Sequence, residues 1–131
     1  MSTGEALARY VVAFVLTQAI EVPIYKRALG VRPLVAFGAS AITHPVVWFV
    51  LPVVWRSLYV AAIHADRRFV LGELGYYLGY GVLAEGFAVA VEAAYFWKAG
   101  ITARRAFGGA LAANVVSSLL GQALRAATGW P

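Results

Sequence analysis

Long apolar stretches alternate with short polar breaks along this chain, and the apolar stretches predict four helices at 6–25, 34–55, 75–97 and 106–124. Each is about 20 residues long, enough to cross a hydrocarbon layer of ~30 Å. A soluble four-helix bundle would carry a charged face on each helix with partners at i, i+4. The segment Val46–Trp55 (VVWFVLPVVW) has no charge on any face. The expected fold is therefore all-α, a single four-span membrane domain over 1–131 with the lipid bilayer as its surroundings. The stretch after Pro52 (WRSLYVAAIHADRRFVLGE) turns too polar to span by itself. Its first half is expected to end the second span or to lie as a short interfacial helix, with His64 in a solvated loop.

The spans pair into two hairpins that look related. Shifting the chain by 70 residues sets Gly30–Phe49 on Gly100–Leu119, with five identities in twenty. His44 falls on Asn114, and a one-residue slip brings Glu21 opposite Glu92. Two-span units return the chain to its starting side, so the repeat would be parallel, with a pseudo-twofold along the membrane normal. Gly75-x-x-x-Gly79 and Gly108-x-x-x-Ala112 mark candidate close-packing faces. Tyr25, Tyr95 and Trp97 at one edge, with Tyr10, Trp55, Tyr59, Tyr76, Tyr77 and Trp130 at the other, fit interfacial belts.

Composition agrees: 62% of the 131 residues are hydrophobic and 13% charged, against roughly 25% charged in soluble domains. A net charge of +5 is compatible with a nucleic-acid partner, but its placement argues against one. Lys26, Arg27, Arg32, Lys98, Arg104 and Arg105 fill the first and third breaks, where basic residues set orientation and meet headgroups. Arg9, Arg56, Arg67, Arg68 and Arg125 lie on the other side. The bias puts the first and third loops in the cytoplasm and both termini outside it, in an inner (plasma) membrane. The start, Met1–Glu5, has no basic region, so no removable signal peptide is expected. The absence of cysteine excludes thiolate metal sites and disulfides.

Against that background five polar residues stand out. Glu21, Glu85 and Glu92 interrupt apolar stretches, as do His44 and Asn114, with no Lys or Arg in the interiors of those stretches, Arg9 lying near the start of the first. An ionisable group in hydrocarbon costs several kcal/mol, so it usually marks a site. Spacing puts them on stripes: Thr17, Gln18, Glu21 and Tyr25 on the first helix, Ser40, His44 and Trp48 on the second. Asn114, Ser117, Ser118 and Gly121 form a third stripe, while Glu85 and Glu92 share a face two turns apart. Four stripes that lipid cannot satisfy should turn inward on a shared centre. Pro23 and Pro45 each release a backbone carbonyl beside it.

This constellation makes Glu21, His44, Glu92, Asn114 and Glu85 the candidate ligand- or ion-binding residues, with Gln18, Tyr25, Ser40, Trp48, Ser117 and Ser118 supporting them. Glu21, His44 and Glu92 are also candidate ligands for a divalent metal. Glu21 and Glu92 have a blander alternative, pairing with Lys26 and Lys98 about a turn and a half away. No HExxH, GxSxG or phosphate-cradling motif is present, which excludes the catalytic classes those motifs serve. The leading expectation is a proton, cation or small-solute transporter or channel component. A four-helix monomer is small for that task, so a homo-oligomer or a partner membrane subunit is expected too. The alternatives are a structural or accessory subunit, and an intramembrane enzyme acting on a lipid or isoprenoid through carboxylate–histidine chemistry.

Overall fold

A computed structural model describes residues 2–65 and 71–129, and these residues are helical with no strand among them. The first helix, α1 (Thr3–Leu29), starts at a capping box. Ser2 Oγ accepts from the Glu5 amide at 3.2 Å and the Ser2 amide donates to Glu5 Oε2 at 2.7 Å, so two amides of the first turn are satisfied. α1 ends at Gly30, whose φ of 72° lets its N–H return to the Lys26 carbonyl. α2 (Pro33–Pro45) opens with proline at its first position, where the missing N–H is no loss.

The chain then continues through a π-helical turn, Val46–Val50, into α3 (Leu51–Ala65). Pro45 and Pro52 bracket this turn. Neither ring nitrogen can donate, so the regular ladder fails on both sides and the Leu51 N–H reaches the Val46 carbonyl instead. Tyr80 donates to the Val47 carbonyl at 2.6 Å, satisfying an oxygen of the irregular turn. Pro23, by contrast, is absorbed within α1. α4 (Glu73–Lys98) and α5 (Ala103–Thr128) are joined through Gly100, at φ 93°.

Four helical stretches are long and apolar enough to cross a membrane: Thr3–Leu29, Pro33–Ala65, Glu73–Lys98 and Ala103–Thr128. The second is 33 residues, longer than the 34–55 expected, because the helix runs on past the aromatic edge instead of breaking. His64 sits exposed in its last turn and not in a loop. Arg67, Arg68 and Trp130, also singled out in the sequence, lie outside the described residues.

α1 packs on α2 and α5, and α4 packs on the same two helices, closing a ring in the order α1, α2, α4, α5; α3 packs on α4. The dry core is not at the middle of this ring. Tyr25, Leu29, Ala36, Phe96 and Ala106 are buried together beside the turns at 30–32 and 99–102, which we term the loop end. Small residues let the backbones approach there: Gly109 leaves room for Leu29, whose Cδ2 would lie 2.7 Å from an added Cβ. The expected Gly108 face is not the packing one, since nothing lies within 4 Å of a Cβ at Gly108. One residue on a helix is a turn of about 100°, which separates the two faces. Gly79 of the other glycine pair does pack, against the Trp55 ring at 2.7 Å from an added Cβ. The outside is apolar, with Val15, Leu34, Val53, Val82 and Leu119 more than half exposed.

Gly109→Val should lower stability by about 1–3 kcal/mol through overpacking. The loss in the Leu29→Ala, Gly109→Val pair should be smaller than the sum of the two single losses, because Leu29→Ala empties the contested space. Denaturant unfolding in detergent of the four proteins measures this coupling.

Candidate functional site: two buried glutamates below a one-sided cavity

Just above the dry core, every helix of the ring brings a polar side chain to one level. Glu21 of α1 and Glu92 of α4 are each only 1% exposed. Glu21 accepts from Ser40 of α2 and from Ser117 of α5, the latter at 2.6 Å. Glu92 accepts from Thr43 of α2 at 2.7 Å, from the Asn114 amide of α5 at 2.7 Å, and from the Tyr25 hydroxyl of α1. Asn114 also donates back to the Ala110 carbonyl one turn earlier, which fixes its amide plane. These donors are hydroxyls and one amide, all neutral. Lys26 and Lys98 stay exposed at the loop end, so the bland alternative of pairing along the helix gives way to hydrogen bonds across helices.

A cavity of about 790 Å³ begins at this pair and runs away from the loop end. Its walls continue past His44, Trp48, Ala84 and Glu85 to Tyr77, Gln122 and Arg125. At 1.5 Å per residue the cavity follows α4 for about 22 Å, from Glu92 to Tyr77. Tyr77, Gln122 and Arg125 are exposed, so this far end is the mouth, on the side where Ser2 and Gly129 lie. The near end is blind. Tyr25 and Phe96, both fully buried with ring centroids 4.6 Å apart, close it.

The expected site residues thus fall into three groups. Glu21, Glu92, Asn114, Tyr25, Ser40 and Ser117 come together at the blind end. Glu85, Trp48 and Ser118 line the cavity wall further out, with the Ser118 hydroxyl against Glu85. His44 also lines it, but its ring packs among Phe14, Tyr10 and Trp48, at centroid distances of 5.2, 5.5 and 6.0 Å. Its buried Nε2 has no hydrogen-bond partner. Gln18 departs from the expected stripe: it turns toward the Phe37 carbonyl at 3.4 Å and does not line the cavity.

Glu21 and Glu92 come together at the blind end, and His44 does not join them as a third ligand. Among the described residues no three His, Cys, Asp or Glu side chains converge as a metal site. His44 follows Thr43 directly on α2, but its ring is held among Phe14, Tyr10 and Trp48. Tyr25 is likewise not an interfacial belt residue, being wholly buried as a donor to Glu92.

Sequence reasoning missed Thr43, Tyr80 and Arg125. Thr43 follows Ser40 by three residues, a helical neighbour on the same face. Arg125 stands three turns beyond Asn114, on the stripe that already held Ser118 and Gly121. Thr43 thus lies between two residues of the α2 stripe, and Arg125 continues the α5 stripe past Gly121.

Compared with known proteins, the chain matches no family model, no curated protein and no solved structure.

Tyr25→Phe and Thr43→Val each remove one donor from a buried carboxylate, and each should cost about 1–3 kcal/mol. Thermal unfolding of the purified variants checks this. Two variants as stable as the parent would show that these hydroxyls do not hold Glu92.

Proposed function

We propose that the protein is a membrane-embedded transporter or channel component that takes a proton or a small cation at Glu21 and Glu92, loaded through the cavity from the side of the chain termini. One observation carries this reading: the two carboxylates are buried with neutral donors only. Hydroxyls and amides orient a carboxylate and share its charge, but they do not cancel it. A buried charge is tolerated when it is paired or coordinated. The opposite charge must then arrive from outside, as a proton or a cation, and the cavity is the route to the pair. A purely structural lock between helices would leave a dry, fully paired centre. The cavity and the unpaired His44 Nε2 favour a working site.

The same reading includes a parallel duplication, supported by three features. Gly30 and Gly100, equivalent under the 70-residue shift, both turn with positive φ. The helix ring maps onto itself when α1 exchanges with α4 and α2 with α5. Glu21 and Glu92 then exchange places. The outward Gly108-x-x-x-Ala112 face of α5 supports a homo-oligomer, since small residues at that spacing admit close helix contacts. We place the protein in the inner (plasma) membrane, with its basic loop end on the cytoplasmic side.

Proteoliposomes with a trapped pH indicator test the reading. The protein should dissipate an imposed proton gradient, alone or in exchange for a small cation. Glu21→Gln and Glu92→Gln should each cut the flux roughly tenfold or more, an effect equivalent to at least ~1.4 kcal/mol. Glu85→Gln, on the wall and away from the pair, should mainly alter stability. Vesicles no more permeable than protein-free ones would remove the transport reading.

A further inference from the structure

The cavity is far larger than its proposed charge requires. A proton needs no cavity, and an alkali cation needs only a few oxygen ligands. The space here, about 790 Å³, equals that of about 25 waters at ~30 Å³ each. It falls in the range of roughly 300–1,000 Å³ typical of small-molecule sites. Its chemistry is also graded along its length. The blind end holds Glu21 and Glu92; the middle is walled by Ala84, Ala88, Val47 and Trp48; Tyr77 and Arg125 stand at the mouth.

Resting on the cation reading above, we infer that the ligand is a monovalent amphiphilic amine, a protonated amino group joined to an apolar body. Each part of the cavity selects one part of that molecule. An ionised carboxylate has about four acceptor positions. Glu21 uses two of them, for Ser40 and Ser117, and keeps two for ammonium N–H donors. A quaternary ammonium would leave those positions empty. The apolar body lies against Ala84, Ala88, Val47 and the Trp48 ring, which wall the middle of the cavity. Arg125 at the mouth disfavours a second positive charge and tolerates a neutral or anionic tail. The titratable and charged groups around the pair are Tyr25 on α1, His44 on α2, Tyr77, Tyr80 and Glu85 on α4, and Arg125 on α5. Of these only Arg125 is an obligate cation, and it lies about 16 Å along α5 from Asn114, so the blind end remains a cation-attracting place.

Titration calorimetry on the full-length purified protein in detergent tests this with 4-phenylbutylamine, against 4-phenylbutanol as its neutral counterpart and 1,4-diaminobutane as a dication. The amine should bind saturably, with the alcohol weaker by roughly tenfold or more, as loss of a charge-assisted contact predicts, and the diamine weaker by a similar factor because it lacks the apolar body and carries a second charge toward Arg125. Glu21→Gln should weaken the amine by a similar factor without strengthening the alcohol, and Trp48→Ala should weaken amine and alcohol together. The three ligands compared on the parent protein remain decisive if a variant fails to fold. Equal binding of amine and alcohol, or no amine binding, overturns the inference. If the glutamate-dependent proton flux persists while the amine does not bind, the ligand class is wrong and the transport reading stands. If the flux does not depend on Glu21 or Glu92, that reading fails by its own test.

Discussion

Two carboxylates are held in the interior of a small helical ring by neutral donors, and the rest of the structure follows from that arrangement. Burying such groups is tolerable when their acceptor positions are filled and their charge is met. The first need is supplied from within: Ser40 and Thr43 from α2, Tyr25 from α1, and Asn114 and Ser117 from α5. Glu92 thereby ties α4 to all three other helices of the ring, and Glu21 ties α1 to α2 and α5. Apolar side chains packed without hydrogen bonds would tolerate sliding by a turn; these bonds do not. The second need is left open, and a cavity leads to it.

The molecule is divided lengthwise to serve both demands. At the loop end, alanines and glycine bring the helices close around Tyr25, Phe96 and Leu29, which exclude water. Beyond the glutamates the ring separates. The π-turn between Pro45 and Pro52 interrupts the regular ladder where α2 gives way to α3, and α3 packs on α4. π-turns often occur at functional sites because the extra residue re-aims the side chains around it. Here Val47 and Trp48, both within the turn, form part of the cavity wall. The tight end fixes the geometry of the pair, and the loose end opens the cavity that leads to it.

Much of this architecture was legible from the residues alone. Four apolar stretches can do little but form helices, and polar groups without basic neighbours must turn inward, so the inward stripes carrying Glu21, Glu92, Asn114, Ser40 and Ser117 could be read directly. Periodicity gives a residue's face but not its partner. For that reason Tyr25 fitted both an interfacial belt and the Glu21 stripe, and only the packing shows it as a buried donor to Glu92, while Gln18 looked like part of the site when it serves a neighbouring backbone. His44 shares the stripe of Ser40 but lies one turn nearer the mouth, where Phe14 and Tyr10 of α1 surround it. Registry between antiparallel helices decides such matters, and no single stretch of sequence encodes it. The choice between Gly108 and Gly109 as the packing face depended in the same way on the rotation of α5 against α1.

The central claim is that a one-sided aqueous path reaches the glutamate pair and stops there. The chain has no cysteine, so single cysteines can be placed at Gly121 and Ser118 on the cavity wall and at Ala106 beyond the blind end. In oriented proteoliposomes, a small cationic thiol reagent added on the side of the termini should modify Gly121→Cys and Ser118→Cys rapidly and Ala106→Cys hardly at all. An amine ligand should slow the first two reactions. Rapid modification of Ser118→Cys from the side of the 30–32 and 99–102 turns, or protection of all three positions from both sides, would contradict the account.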